Sequence, residues 1–279
     1  MKPVAPILVS HLFPGLHVEL LSLLRGLGDD DWSRSTAARA WCVKDIVSHL
    51  LDGDIRRLSV QRDHTVLPQP EPPPQTYGAL VAFLNQLNAE WVSAARRISP
   101  SLLIEFLALT GRQVAQLFQS LDPQAPALWP VAWAGDEISP NWFDIAREYT
   151  ERWHHQQQIR DAVGARGLTS RYWLGPVLET FLRGLPHAYR ATEAATGTHV
   201  VYEVTGEAGG VWTLARETGT WRLYAGQSRT AACHVRTDQD TAWRLLTRGM
   251  SAEAAAPRVW IAGEQRLGTP VLTLLAVMA

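Results

Sequence analysis

Cysteine, net charge and long apolar runs are all scarce in this sequence. Its 279 residues include two cysteines, Cys42 and Cys233, which stand far apart and form neither a C-x-x-C pair nor a disulfide framework. This scarcity argues against a disulfide-stapled secreted domain and makes a reducing cytoplasm the expected location. The net charge of -1 at pH 7 supplies no basic field for nucleic acid and no cationic helix for a membrane surface.

Signals for export and for phosphate binding are missing as well. The apolar residues near the N-terminus are interrupted by Pro3, Pro6, His11, Pro14 and Glu19, so neither a signal peptide nor a membrane-spanning run is expected. The sequence contains no P-loop, no G-x-G-x-x-G and no G-x-S-x-G. We therefore expect no nucleic-acid partner and no membrane partner.

The first part of the chain has the periodicity of helices. Apolar residues recur there at three- and four-residue steps. This spacing predicts five helices, near Pro14–Leu27, Lys44–Gln61, Tyr77–Ile98, Ser101–Leu121 and Trp142–Gly164. The proline-rich run at Leu67–Gln75 predicts a stiff loop between two of them. The pattern is typical of an up-and-down bundle with one long crossover.

Beyond Leu168 the pattern changes to alternating segments rich in Val, Tyr, Trp and Thr. These segments predict strands at HVVYEVTG, GGVWTLARETGTWRLYAG, AACHVRT and VWIAG, with a turn at Thr218-Gly219. A helix is predicted at Thr241–Arg248 and a closing helix at Pro270–Ala279. The predicted fold class is α+β, with a helical bundle over residues 1–167 and a small α+β domain over residues 168–279.

One group of residues has the spacing of a metal site. Glu151 and His155 stand four apart on the fifth predicted helix and therefore share one face of it. His49 lies at the edge of the apolar face of the second predicted helix. Two imidazoles and a carboxylate suit Zn²⁺, Ni²⁺ or Fe²⁺ and leave positions open for water or an exchangeable ligand.

The same spacing has a structural interpretation. A histidine at the edge of a buried face is more often a hydrogen-bonded core residue than a ligand. An E-x-x-x-H pair on a helix is commonly a side-chain interaction of a few tenths of a kcal/mol. Spacing alone leaves both interpretations open for His49, Glu151 and His155.

Two segments carry a resemblance to a known family. The segment at residues 29–50 reads DDDWSRSTAARAWCVKDIVSHL, and the segment at residues 150–164 reads TERWHHQQQIRDAVG. Both resemble the mycothiol-dependent maleylpyruvate isomerase family, part of the wider DinB-like group of metal-binding helical bundles. The likeness extends to FLNQLNAEWV, FLRGLPHAYR, GGVWTLARETGTW and the final LGTPVLTLLAVMA, and so covers nearly the whole chain. It implies a DinB-like four-helix bundle followed by the small α+β domain.

The resemblance also implies a ligand set and shows a departure. His49, Glu151 and His155 match the three metal positions of the family, with Zn²⁺ the first expectation and Ni²⁺ or Fe²⁺ the alternatives. Many relatives have an Asp three residues after the metal-binding histidine, where this chain has Gln158. If that Asp orients a ligand, its replacement is expected to weaken the support of the site.

The implied activity is that of a metal-dependent enzyme using a low-molecular-weight thiol, of the mycothiol or bacillithiol type. The metal would favour the thiolate, which could add to a small electrophilic substrate and lead to isomerisation or conjugation. Asn88 is a candidate for holding the thiol cofactor and Glu148 for an outer-shell base, although each has a structural alternative. An arginine of the second domain would bind substrate carboxylates, and the sequence does not single one out.

Two other classes of function stay open. The bundle could be a metal-binding or small-ligand-binding stress-response protein without turnover, a reading that Gln158 favours slightly. It could also be a hydrolase that uses metal-activated water. The resemblance leaves the oligomeric state open: DinB-like bundles are often dimers, so a homodimer is one alternative, and a monomer in which the second domain covers the pairing face is the other.

Overall fold

The computed structural model describes residues 1–66 and 70–276, and within this range the chain forms two compact units. The helical unit contains residues 8–128 and 148–168. The sheet unit contains Met1–Ile7, Trp129–Arg147 and the described residues from Thr169 onward. Each unit thus combines separate stretches of sequence. The division into a helical bundle over residues 1–167 and a small α+β domain over residues 168–279 stays a prediction.

The helical unit is built from long helices in the five regions where apolar periodicity predicts them. They are α1 Phe13–Arg25, α2 Val43–Arg57, α3 Tyr77–Ala95, α4 Pro100–Ser120 and the larger part of α5 Asn141–Val163. Helix α2 continues into one π-helical turn at Leu58–Arg62. Helix α4 packs against α1 and α2, and α3 packs against α2. Of the described helices, none has both the length and the apolar character needed to cross a membrane.

Local hydrogen bonds fix where these helices begin and end. The Asp45 carboxylate accepts from the backbone N–H of Cys42 at 3.2 Å, which satisfies a free donor at the start of α2. Thr76 and Ser99 cap α3 and α4 through their hydroxyl oxygens. Helix α5 ends before Gly164, which has φ +69° and so takes the left-handed conformation that glycine adopts without strain. The start of α2 matters most here, because it sets the position of His49.

The core of the helical unit is a continuous cluster of buried apolar side chains. Its members come from α1, α2, α4, α5 and the turn before α2, and they are Leu20, Leu21, Leu24, Trp32, Val43, Ile46, Val47, Leu50, Leu51, Leu103, Leu107 and Ile159. On α5, Tyr149 and Trp153 are also fully buried, and they lie about 80° and 120° around the helix from Ile159. Helix α5 is therefore packed on more than one side, which places its polar residues beside protein as well as solvent.

A close approach between α1 and α4 depends on a glycine, which has no side chain. The ring of His17 in α1 lies against Gly111 in α4, where a Cβ would be 2.3 Å from the ring carbon Cε1. Burial lowers the pKa of His17 to about 4, so the ring is neutral at pH 7. The position of the imidazole thus requires glycine at residue 111.

We expect Gly111→Ala to destabilise the protein by roughly 1–3 kcal/mol, because the buried His17 ring must move out of a packed position. This is opposite to the usual effect in a helix, where alanine is favoured over glycine by about 0.5–1 kcal/mol. The matched control is Gly53→Ala in α2, where a Cβ meets nothing within 4 Å and should stabilise. Urea denaturation of both variants checks the prediction. Equal stability of the two would contradict it.

The sheet unit contains a six-stranded sheet with short helices. Its strands are β1 Lys2–Pro3, β2 His199–Thr205, β3 Gly210–Glu217, β4 Thr220–Ala225, β5 Cys233–Asp238 and β6 Trp260–Gly263. The spatial order is β1-β4-β3-β2-β5-β6, with β2 and β5 parallel and the other pairs antiparallel. Its helices are α6 Arg171–Leu182, α7 Leu185–Ala188, α8 Gln239–Leu246, α9 Ala252–Ala255 and α10 Gln265–Gly268. The fold class is therefore α+β, as predicted.

The predicted closing helix at Pro270–Ala279 is wrong in its described part. Residues Thr269–Thr273 form a single 3₁₀ turn, and residues 274–276 have no regular structure. The backbone N–H of Ala276 donates to the carbonyl oxygen of Leu246 at 3.0 Å, so this segment is fixed by the end of α8 and not by a helix of its own. The last three residues of the predicted helix, and Leu67, Pro68 and Gln69 of the predicted proline-rich loop, lie outside the described residues.

Candidate metal centre

The helical unit brings His49, Glu151 and His155 together. One nitrogen or oxygen atom of each side chain lies within 4.8 Å of the corresponding atom of the other two. The imidazole rings of His49 and His155 are 4.8 Å apart between centroids and nearly perpendicular. Helix α2 supplies the first residue and α5 the other two, so the group depends on the approach of these helices.

Helix geometry accounts for the Glu151–His155 half of the group. The two residues are one turn apart on α5, and Oε2 of Glu151 is 3.4 Å from Nε2 of His155. Two ligands bound tetrahedrally to Zn²⁺ at about 2.1 Å are roughly 3.4 Å apart, so this pair already has the spacing of a ligand pair.

His49 contributes a buried ring nitrogen that makes no hydrogen bond to the part of the protein that the structure describes. This nitrogen is Nδ1, and it is inaccessible to solvent. Burial lowers the pKa of His49 well below its usual value, and the charge of His155 lowers it further. The ring is therefore neutral, which is the form that binds metals. A buried nitrogen without a partner costs about 1–3 kcal/mol, a penalty that a bound ligand relieves.

Gln158 holds the other imidazole. Its Oε1 lies 2.8 Å from Nδ1 of His155, and both side chains are buried. Metal-binding histidines generally donate their second ring N–H to an oxygen acceptor in this way. Three observations fit a divalent ion of the zinc type. They are the buried nitrogen of His49 without a hydrogen bond to any described residue, the 3.4 Å spacing of Glu151 and His155, and the acceptor oxygen of Gln158 beside His155.

Trp41 forms one wall of the group, a role that sequence reasoning did not assign to it. Its ring centroid is 4.9 Å from that of His49 and 6.2 Å from that of His155. The residue stands two positions before the first residue of α2, so the turn into the helix carries it to the imidazoles. The sequence feature that could have identified Trp41 is its position in the W-x-V segment directly before the helix that carries His49.

Glu148, the predicted outer-shell base, is paired with a buried cation. Its Oε1 accepts from Nη2 of Arg57 at 3.0 Å, and the Arg57 side chain is 1% exposed. The guanidinium of Arg57 also lies over the ring of Phe118. The charge of Glu148 raises the pKa of His49, against the larger effect of burial. This pairing favours an electrostatic role for Glu148 over proton transfer, and its role as a base stays a prediction.

Asn88, the predicted cofactor-binding residue, contacts an arginine on the same helix as His49. Its Oδ1 accepts from Nη2 of Arg56 at 3.2 Å, and Arg56 also pairs with Asp52 at 2.9 Å. Arg56 stands two turns after His49 on α2, and its charge lowers the pKa of His49. Sequence reasoning missed Arg56, although the seven-residue spacing from His49 was visible. The cofactor-binding role of Asn88 stays a prediction.

The fold and the site define the class of this protein. It is an α+β protein with a candidate metal site in its helical unit, where two imidazoles and a carboxylate from α2 and α5 lie close together. The model of one family, the mycothiol maleylpyruvate isomerase N-terminal domain, matches residues 13–160, more than half of the chain. The chain belongs to the mycothiol maleylpyruvate isomerase family. The matched range contains His49, Glu151 and His155.

Two solved structures have the same fold. The chain is similar to the crystal structure of the mycothiol-dependent maleylpyruvate isomerase, with a TM-score of 0.51 and 12% identity over 91% of this chain and 90% of that one. A crystal structure of a histidine-to-alanine mutant of a protein with that name gives a TM-score of 0.50 and 11% identity over the same shares. Comparison with curated proteins gives no match. At this identity the structural similarity shows the fold alone.

Proposed function

We propose that this protein is a metal-dependent enzyme that uses a low-molecular-weight thiol to isomerise or conjugate a small electrophile. The observation that carries the proposal is the convergence of His49, Glu151 and His155 within 4.8 Å. Membership of a family named for a mycothiol-dependent isomerase supports the thiol and points to maleylpyruvate as the first substrate to test. We also propose that α1, α2, α4 and α5 form a DinB-like four-helix bundle, with the site between α2 and α5.

Each residue of the site has a proposed role. His49, Glu151 and His155 would hold the ion, and Gln158 would hold His155. A divalent ion, with Zn²⁺ the first expectation, supplies Lewis acidity that favours the thiolate form of a thiol in an open position. Trp41 covers one side of the two imidazoles at 4.9 and 6.2 Å between ring centroids, which limits access of water from that side.

The charges beside the triad suit an anionic ligand. Arg56 lies on the His49 face of α2 and is held by Asp52 and Asn88. Its Nε is buried without a hydrogen bond to any described residue, so a donor is available for a carboxylate. We propose that Arg56, steadied by Asn88, attracts a carboxylate of the thiol cofactor or of the substrate.

The isomerisation itself needs no redox partner. Addition of a thiol sulfur to one carbon of a cis double bond, rotation about the resulting single bond and elimination of the same sulfur give the trans product. Conjugation is the same addition followed by protonation of the neighbouring carbon, with the thiol's own proton as the source, in place of the elimination. Neither Cys42 nor Cys233 is required as the nucleophile, because the cofactor provides the sulfur.

The test measures turnover in the four combinations of metal present or absent and thiol present or absent. The purified protein is analysed for bound metal, stripped with a chelator and assayed with maleylpyruvate, with and without added Zn²⁺ and with and without mycothiol. We expect consumption of maleylpyruvate when metal and thiol are both present and at no other combination. Consumption without thiol would indicate a hydrolase, and metal binding without consumption would indicate a binding protein. Either result contradicts the proposal.

A further inference from the structure

Three consecutive glutamines on α5, Gln156, Gln157 and Gln158, are all buried. Gln156 donates from Nε2 to the backbone oxygen of Leu16 at 3.1 Å. Gln157 accepts on Oε1 from the backbone N–H of Leu168, also at 3.1 Å. Both of these side chains therefore bind backbone groups of neighbouring segments and serve the packing of the helical unit.

Gln158 differs from the other two, because its partner is an imidazole. Its Oε1 is 2.8 Å from Nδ1 of His155, one helical turn away. On the opposite side of the ring, Nε2 of His155 lies 3.4 Å from Oε2 of Glu151. The His155 ring is thus held between an amide on α5 and a carboxylate on α5, with a different nitrogen facing each.

The two acceptors beside the ring favour opposite tautomers, and their distances differ. The amide oxygen of Gln158 and the carboxylate of Glu151 both only accept, and the shorter contact, 2.8 Å to Nδ1 against 3.4 Å to Nε2, favours the hydrogen on Nδ1 and the lone pair on Nε2. The reverse arrangement would place a proton on Nε2, between the ring and Glu151, where it would block a metal ion. The Gln158 contact therefore favours the tautomer in which Nε2 of His155 can bind a metal ion.

We propose that Gln158 is a positioning residue, which prepares Nε2 of His155 for the metal through a neutral acceptor. The proposal rests on the proposed function, because that function supplies the metal ion. The tautomer of His155 can be measured without the ion. A carboxylate at this position would make the imidazole a stronger donor to the metal. The neutral amide of Gln158 orients the His155 ring but does not make it a stronger donor. The ion should therefore bind less tightly than it would with a carboxylate at position 158.

The first measurement is the Zn²⁺ affinity of metal-free protein, by competition with a chromophoric chelator. Gln158→Met keeps the length of the side chain and removes the acceptor, and we expect about 10–100-fold weaker binding. Gln158→Glu restores an acceptor that carries a charge and should bind Zn²⁺ more tightly than the parent. Gln157→Met is the matched control, because it disturbs a buried backbone contact on the same helix and should leave Zn²⁺ affinity unchanged.

The second measurement is the tautomer of His155 in metal-free protein, from long-range nitrogen–proton NMR correlations. We expect the ring proton on Nδ1 in the parent and a shift toward the Nε2-protonated form in Gln158→Met. Parental Zn²⁺ affinity in Gln158→Met, or an equal loss in Gln157→Met, would overturn the proposal, as would an Nε2 proton in the parent. If the parent binds no Zn²⁺, the proposed function fails, and the NMR result then decides the role of Gln158 by itself.

Discussion

Replacing His155 with alanine is expected to remove bound metal and, with it, thiol-dependent turnover. The side chain would provide one of the three proposed ligand atoms, and its Nε2 lies 3.4 Å from Oε2 of Glu151. Loss of an outer hydrogen bond costs 10–100-fold in metal affinity, so loss of a ligand should exceed about 100-fold. Elemental analysis of dialysed protein measures the metal, and the maleylpyruvate assay measures the turnover.

The controls separate loss of the site from loss of the fold. His49→Ala removes the proposed ligand from α2 and should have the same effect as His155→Ala, because either change leaves two of the three proposed ligands. His11→Ala changes an exposed histidine outside the group and should leave both metal and turnover at parental values. Far-ultraviolet circular dichroism confirms that each variant is folded. Parental metal content in a folded His155→Ala protein would exclude this residue as a ligand.

The α5 half of the site was predictable because it depends on local geometry. A spacing of four residues on a helix determines that Glu151 and His155 share a face, whatever the rest of the chain does. His49 is different, since nothing in its own helix indicates that α2 approaches α5. The resemblance to a known family placed it in the group, and the structure brings its ring to 4.8 Å from that of His155.

Contacts between distant segments were not predictable from the sequence. The Arg57–Glu148 pair joins residues 91 positions apart, and apolar periodicity contains no information about it. Ala276 bonds to Leu246, and this tertiary contact replaces the helix that the C-terminal residues favour by propensity alone. Gln158 was expected to weaken the site because it is not an aspartate. The property that matters for orientation is an acceptor oxygen, and the amide has one.

A buried ion pair in the helical unit leads to the largest expected change in stability. Asp54 in α2 is fully buried, and its carboxylate pairs with Arg152 of α5 and accepts from Oγ1 of Thr110 in α4 at 2.7 Å. The guanidinium of Arg152 lies over the ring of Phe13 in α1. The pair thus connects the helices that carry His49 and Glu151, and each charge depends on the other for compensation.

Asp54→Ala should therefore lower the free energy of unfolding by about 3–5 kcal/mol, because it leaves the Arg152 guanidinium without its carboxylate in a buried position. The control is Asp63→Ala, which breaks the exposed pair with Arg62 and should change stability little, because water screens exposed ion pairs. The double variant Asp54→Ala/Arg152→Met removes both charges and should recover part of the loss. Urea denaturation followed by circular dichroism measures all three. If Asp54→Ala and Asp63→Ala unfold at the same urea concentration, the buried pair does not hold these helices together.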